Sequence, residues 1–312
     1  MKQDRKELQT MNKTGKRCAA LLAALGFMLA GLTGCAATTE DTIQPDKVVC
    51  GRSTAQLEAA FDESGASYFE VGDVLMVLID SYNGYEVTEN SSAVYYTGEE
   101  DSLYRMVMSL ELEDEKTAEK LYEKTERLYD KNYKPLTDSD SDDATEDSSE
   151  TDGDSESLTW QAGVWSNGSM TLQMVQFDNF VVIENAETDA MKDRTFTFVE
   201  EQVALYHLCD TWKSIQRIDN NTGEAVAIDE DSSTQVDFFQ NGMVIFSGND
   251  DQTIAYCQPD SKLSGGTQYT LNCGYSQTYE SDLIFTVIYA DSTPNAIAMS
   301  VGQATLYLTR QE

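Results

Sequence analysis

Apolar positions along this chain follow a helical period in two places and a strand period in many more. Ser53-Thr54-Ala55-Gln56 reads as a capping box, with Ser53 as the cap and Gln56 reaching back. Leu57, Ala60 and Phe61 then share one helical face, and Gly65 supplies a stop, so the spacing predicts a helix over 54–64. Val74–Ile79 is a short continuous apolar run whose length favours a buried strand, although a helix also fits. Ala93–Tyr96 and Leu103–Leu112 read as further strands, the second with Tyr104, Met106, Met108 and Leu110 on one parity. The sequence DEKTAEKLYEKTERLYDK from Asp114 is the clearest helix, acidic at its start. Its core stripe is Ala118, Leu121, Tyr122, Thr125, Leu128 and Tyr129, and Pro135 ends the segment.

The pattern then breaks. Ten of the twenty residues from Asp138 to Ser157 are acidic and most of the rest are Ser or Thr. Such a stretch has no apolar surface to bury and is expected to be a disordered loop over 136–158. Asp138, Asp140 and Asp142 imitate the start of a calcium loop, but Asp143 stands where glycine is required and Ser149 where the bidentate acid belongs, which argues against an EF-hand. Strands return at Leu158–Trp165 and Met170–Gln176, flanking the hairpin signal Asn167-Gly168. Asp178-Asn179 then turns into Phe180–Glu184. Residues 53–199 therefore read as an α+β domain, one sheet with two helices.

From residue 200 the chain is nearly all strand and turn. A brief helical stretch, EEQVALYHLCD, leads into eight candidate strands at 211–218, 234–239, 243–248, 253–258, 268–273, 283–290, 295–301 and 304–310. Gln240-Asn241-Gly242 and Ser264-Gly265-Gly266 supply hairpin turns. Eight short strands in this length predict an all-β domain over 200–312, a closed up-and-down barrel or a sandwich.

The first 34 residues read as a targeting signal rather than part of a fold. Lys2, Arg5, Lys6, Lys13, Lys16 and Arg17 precede a charge-free apolar run from Cys18 to Leu32, which is too short to span a bilayer. Leu32-Thr33-Gly34-Cys35 resembles the bacterial lipobox. The resemblance implies cleavage before Cys35, diacylglycerol on its thiol, a tether over 35–52, and a lipid-anchored protein on the extracytoplasmic face of the cell membrane.

Charge narrows the partners. The full chain carries 21 Lys+Arg against 55 Asp+Glu, a net charge of −34. The leader holds six basic and two acidic residues, which leaves 15 against 53 in the mature chain, a net −38. This excludes nonspecific nucleic-acid binding, which needs basic patches, and it repels anionic headgroups, so the lipid must do the anchoring. His207 is the one histidine, which excludes a zinc site built on several histidines, and no GxSxG occurs. We identify no catalytic residue, no metal site and no cofactor site.

LCDTWKSIQ, VDFFQNGMVIF and LYLTR resemble the opening strand, the second strand with its hairpin, and the closing strand of bacterial lipocalin-like domains. The resemblance covers about residues 205–312. It implies an eight-stranded calycin-type barrel in which Trp212 packs against Arg310 and closes one end. Strand parity agrees, since Leu306, Leu308 and Arg310 share a face. Asp210 departs from the family, which usually has glycine there.

Cys50, Cys209, Cys257 and Cys273 remain after lipidation, and an exported chain permits disulfides. A symmetric hairpin centred on Gly265 would set Cys257 opposite Cys273, within disulfide reach. Cys50 and Cys209 are then a second candidate pair, with nothing local to fix their distance. The function expected from these residues is a noncatalytic binding module for a small apolar ligand or an envelope partner. The alternative is a structural or interaction lipoprotein with a solid barrel, in which Phe238, Phe246, Phe285 and Tyr307 all point inward. A carboxylate-dependent hydrolase ranks third.

Overall fold

The computed structural model describes residues 50–71, 74–97, 101–136, 158–166, 169–188, 198–248, 251–263, 266–273, 283–288, 295–301 and 303–311. Residues 1–49, which include the expected leader and Cys35, the acidic segment 138–157 and the turn residues Asn167-Gly168 and Ser264-Gly265 lie outside them. The chain is mostly β, with three α-helices among the described residues: α1 (Thr54–Ser64), α2 (Glu115–Asn132) and α3 (Phe198–Leu208). Both large sheets belong to one compact unit, Thr38–Glu312.

The first sheet is antiparallel. Its strands are β1 (Tyr68–Val71), β2 (Val74–Leu78), β5 (Ser92–Thr97), β6 (Leu103–Glu111), β7 (Lys134–Pro135), β8 (Trp160–Ser166), β9 (Met170–Phe177) and β10 (Phe180–Glu187), ordered β1-β2-β5-β6-β10-β9-β8-β7. A separate two-stranded ribbon, β3 (Ser81–Tyr82) with β4 (Tyr85–Glu86), turns at Asn83-Gly84. The capping box at Ser53 forms in both directions, and Gly65 ends α1 in the left-handed conformation. The α2 N-cap is Asp114, whose carboxylate accepts from Thr117 N at 2.7 Å.

Both helices pack on one face of this sheet. Leu57 and Phe61 of α1 and Leu121, Tyr122 and Tyr129 of α2 meet Leu75, Val77, Tyr95, Met106, Met108 and Ile183 in one core. Leu128 is a correction to the expected α2 stripe, since it is exposed. It lies about 80° round the helix from Ala118, at the margin of the buried arc.

The opposite face is buried too. Met76, Val94, Tyr96, Val107, Phe177 and Val182 alternate with the residues just named and are shut off from water. The cover comes from α3 and from the second sheet. Gln240 Nε2 donates to Gln202 O at 3.0 Å, and Asn241 Nδ2 donates to Ser92 Oγ at 3.0 Å.

The second sheet contains β11 (Thr211–Asp219), β12 (Ala225–Ala227), β13 (Gln235–Phe238), β14 (Met243–Gly248), β15 (Asp251–Leu263), β16 (Gly266–Cys273), β17 (Leu283–Ile288), β18 (Ala296–Val301) and β19 (Ala304–Arg310). They run in that order except that β12 flanks β11 at the edge, and β11 also pairs with β19. The sheet is curled into a half-barrel, and its first and last long strands pair. Its inner face is lined by Trp212, Val236, Phe238, Val244, Cys257, Ile297 and Leu308.

The expected Cys257–Cys273 disulfide is corrected by the register. Cys257 stands opposite Leu271, and Cys273 stands opposite Ala255. The hairpin closes with Leu263 opposite Gly266, and an irregularity between Pro259 and Ser261 shifts the pairing by a further residue. Cys257 and Cys273 are thereby diagonal neighbours, about 7–8 Å apart, beyond the reach of a disulfide. The Cys273 side chain is outside the described residues.

Cys50, Cys209 and Cys257 are free thiols, and no disulfide occurs among the described residues. Cys50 and Cys209 also lie in different surroundings. Burial and the Glu187 carboxylate push the Cys50 pKa up to about 12. The Cys209 thiol donates to Gln240 Oε1 at 3.6 Å, and its pKa is raised by burial and then by Cys257.

Candidate functional site

The curled sheet is packed at one end and has a hollow, open to solvent, at the other. The filled end starts at α3. Its last turn presents the Leu208 carbonyl to Trp212 Nε1 at 2.8 Å, which satisfies the one polar atom of a fully buried indole. Trp212 pairs with Arg310 across β11 and β19, and the guanidinium carbon lies 5.0 Å from the indole centroid. Arg310 Nη2 donates to His207 O at 3.0 Å, and Arg310 Nε stands 3.6 Å from Asp210 Oδ2. The structure thus brings Trp212 and Arg310 together. Asp210 supplies the counter-charge. Burial and then the Arg310 charge pull the His207 pKa below its ordinary value, and His207 has a structural place beside this closure.

The hollow end is made by a bulge. Register shifts between Ser214 and Gln216, so Arg217, rather than Gln216, follows Trp212 and Ser214 on the inner face. Arg217 stands opposite Leu306, and Leu306 stands opposite Met299 on β18. The bulged residue Ile215 also accepts Ile228 N at 2.9 Å through its carbonyl, fixing the chain that follows β12 over the opening. That chain forms a short turn at Glu230–Ser232. It then returns through Thr234, whose carbonyl accepts Ser214 N at 2.9 Å while its own N–H donates to Ser214 Oγ at 2.8 Å. Between these parts lies a cavity of about 510 Å³, walled by Met299, Leu306 and Ile228 on the apolar side and by Arg217, Asp229 and Ser232 on the polar side.

Of the four aromatics that would make the interior solid, Phe238 is in the core and Phe246 packs against it. Tyr307 is a correction. It pairs with Gln216 on the outer face and is exposed, because the alternation that turns Leu306 and Leu308 inward turns Tyr307 outward. The Phe285 side chain is outside the described residues.

A second polar constellation, between the sheets, was missed in the sequence. Arg105 on β6 is buried, forms an ion pair through Nε with Glu184 on β10, and donates through Nη2 to Glu201 on α3 at 2.7 Å. Its guanidinium carbon lies 4.9 Å over the Tyr96 ring, and the Tyr96 hydroxyl hydrogen-bonds to that of Tyr256 on β15. Burial works to lower the Arg105 pKa, but the two carboxylates outweigh it and hold the pKa well above the usual range. The available signal was a charge, Arg105 and Glu184, set among the apolar residues of each strand. The cluster ties four strands and a helix together, which is a structural role.

Among the described residues no group of His, Cys, Asp and Glu is arranged to hold a metal ion, and no helix is long and apolar enough to cross a membrane. No protein-family model matches the chain, and no curated protein matches it in sequence.

Proposed function

We propose that this protein is a lipid-anchored extracytoplasmic binding module whose second sheet is an eight-stranded lipocalin-like barrel. The observation that carries the reading is the cavity of about 510 Å³ inside a sheet whose first and last long strands pair. The volume suits a small molecule, for which sites of roughly 300–1,000 Å³ are usual. The LTGC sequence ending at Cys35 supports the lipid anchor, and the Trp212–Arg310 closure supports the lipocalin-like assignment. The ligand is a small apolar or amphipathic molecule, and no catalytic step is assigned.

Two measurements test the proposal. Cys35→Ala should abolish acyl labelling and release the protein from the membrane; unchanged labelling would remove the anchor. Small apolar ligands should raise the melting temperature of the wild type by mass action. They should leave Ala304→Phe, which fills the cavity wall, unshifted, and equal shifts in both proteins would place binding elsewhere.

An interaction role for the rim is the second reading. Ile215 and Val226 are large apolar residues left about half exposed near the cavity, at 48% and 55%. They would meet an envelope partner.

A further inference from the structure

We propose that Cys209 and Cys257 are a disulfide site, and that the bond staples the end of α3 to β15 across the packed end of the curled sheet. The pairing stands on geometry alone. It rests on the lipid-anchor reading only for the oxidising compartment that would close the bond in the cell.

The argument starts from the seat of α3. That helix packs against β15, and its Leu205 and Leu208 meet Cys257 in one core. Cys209 follows Leu208 directly and closes the helix, its N–H donating to Leu205 O at 3.0 Å. One tight turn then receives both cysteines. Gly242 N donates to Phe239 O at 2.9 Å to close the turn, Cys257 N donates to Gly242 O at 2.7 Å, and the Cys209 thiol donates to Gln240 Oε1 at 3.6 Å. A thiol is a weak donor, so this bond does little to keep Cys209 from a covalent partner. The two sulfurs also act on each other. After burial, Cys257 is the largest influence raising the Cys209 pKa. Such coupling falls off with distance, so the thiols are near one another. The other candidates are placed elsewhere: Cys50 lies by Glu187, and Cys273 is set off diagonally from Cys257 on β16.

Exposure sets the order of the reaction. Cys209 is partly exposed, whereas Cys257 is sealed from water. The Cys209 thiol loses its proton and attacks one sulfur of an incoming disulfide, either oxidised glutathione or the active disulfide of a thiol oxidase. That S–S bond breaks, and one half leaves as a thiolate. Cys257, once deprotonated, attacks the Cys209 sulfur of the mixed disulfide, forms the Cys209–Cys257 bond and expels the second thiolate. The pair loses two protons and two electrons, and the incoming disulfide is reduced to two thiols. Burial raises the pKa of both cysteines, so thiolate is scarce in the folded chain and exchange there is slow.

The test takes the full chain as the cell makes it, held in amphipol and first reduced. It is brought to equilibrium in buffers of reduced and oxidised glutathione, its free thiols are blocked, and its peptides are mapped without reduction. Wild type is expected to give one cross-linked pair of peptides, carrying Cys209 and Cys257, with the loss of two hydrogens. Its melting temperature should rise on oxidation, since the bond restricts the unfolded chain. Cys209→Ser should show neither the cross-link nor the rise. In Cys257→Ala the reaction should stop with glutathione on Cys209. Should that core variant not fold, wild type and Cys209→Ser still decide the pairing. Cys257 joined to Cys273 or Cys50, or both thiols free in the most oxidising buffer, overturns the site. Blocking thiols at cell lysis separates this from export. A cross-link that forms in glutathione but is absent from freshly lysed cells leaves the site standing and removes the oxidising compartment.

Discussion

Arg310 shows how one side chain serves several partners at once. It lies on the Trp212 ring, donates to the His207 carbonyl and faces Asp210. Arg310→Ala removes the stacking and leaves a helix-end carbonyl without its donor. Denaturant titration should show a loss of about 1–3 kcal/mol. His207 beside it adds a pH dependence. Its folded pKa is lowered, so the unfolded chain binds more protons and stability falls as pH drops. The penalty is absent above the unfolded value, about 6.5, grows as pH falls below it, and is complete below the folded pKa. Replacing His207 with Gln should flatten that part of the stability profile, and a melting-temperature series over pH checks it. Arg310 was legible from the sequence, by parity and resemblance. Arg105 was not, because its carboxylates come from a strand and a helix far along the chain.

Elements were legible wherever local rules decide them. The capping box gave α1 with its true ends, and the C-terminal strands fall close to their expected ranges except β15, which runs Asp251–Leu263 where 253–258 was expected. The short strands β1, β7 and β12 were missed because each is defined by its partner rather than by its own pattern. Register was the harder quantity. The Cys257–Cys273 pairing failed on two one-residue shifts, the hairpin closing with Leu263 opposite Gly266 and an irregularity beside Pro259; only the second has a marker, since proline in a strand lacks the ladder donor. The Ser214/Gln216 bulge has no such marker, so the inward turn of Arg217 was invisible. The β13–β14 hairpin makes the opposite point. Gly242 has a φ of 84°, and a Cβ there would lie 2.7 Å from the Cys257 carbonyl and from the Tyr256 ring. Gly242→Ala should therefore cost at least about 1–3 kcal/mol from backbone strain alone, read as a lower midpoint in chemical denaturation. An unchanged midpoint would show that the turn relaxes freely.

At the scale of the molecule, the two sheets are joined by buried polar groups. Arg105 with Glu184 and Glu201, Tyr96 with Tyr256, and Asn241 with Ser92 all lie where the second sheet and α3 cover the first sheet. Arg105→Met leaves the fully buried Glu184 without its counter-charge and should cost about 3–5 kcal/mol. The double variant with Glu184→Gln should recover part of that, which a double-mutant cycle measures. The central claim is that the hollow end carries a small ligand. Native mass spectrometry of the protein taken gently from the envelope of the cells that make it tests this most directly. The expected result is a bound small apolar or amphipathic molecule, present on wild type and lost from Ala304→Phe. A wild-type mass equal to that of the lipidated polypeptide alone, with no small apolar molecule taken up on addition, would contradict it.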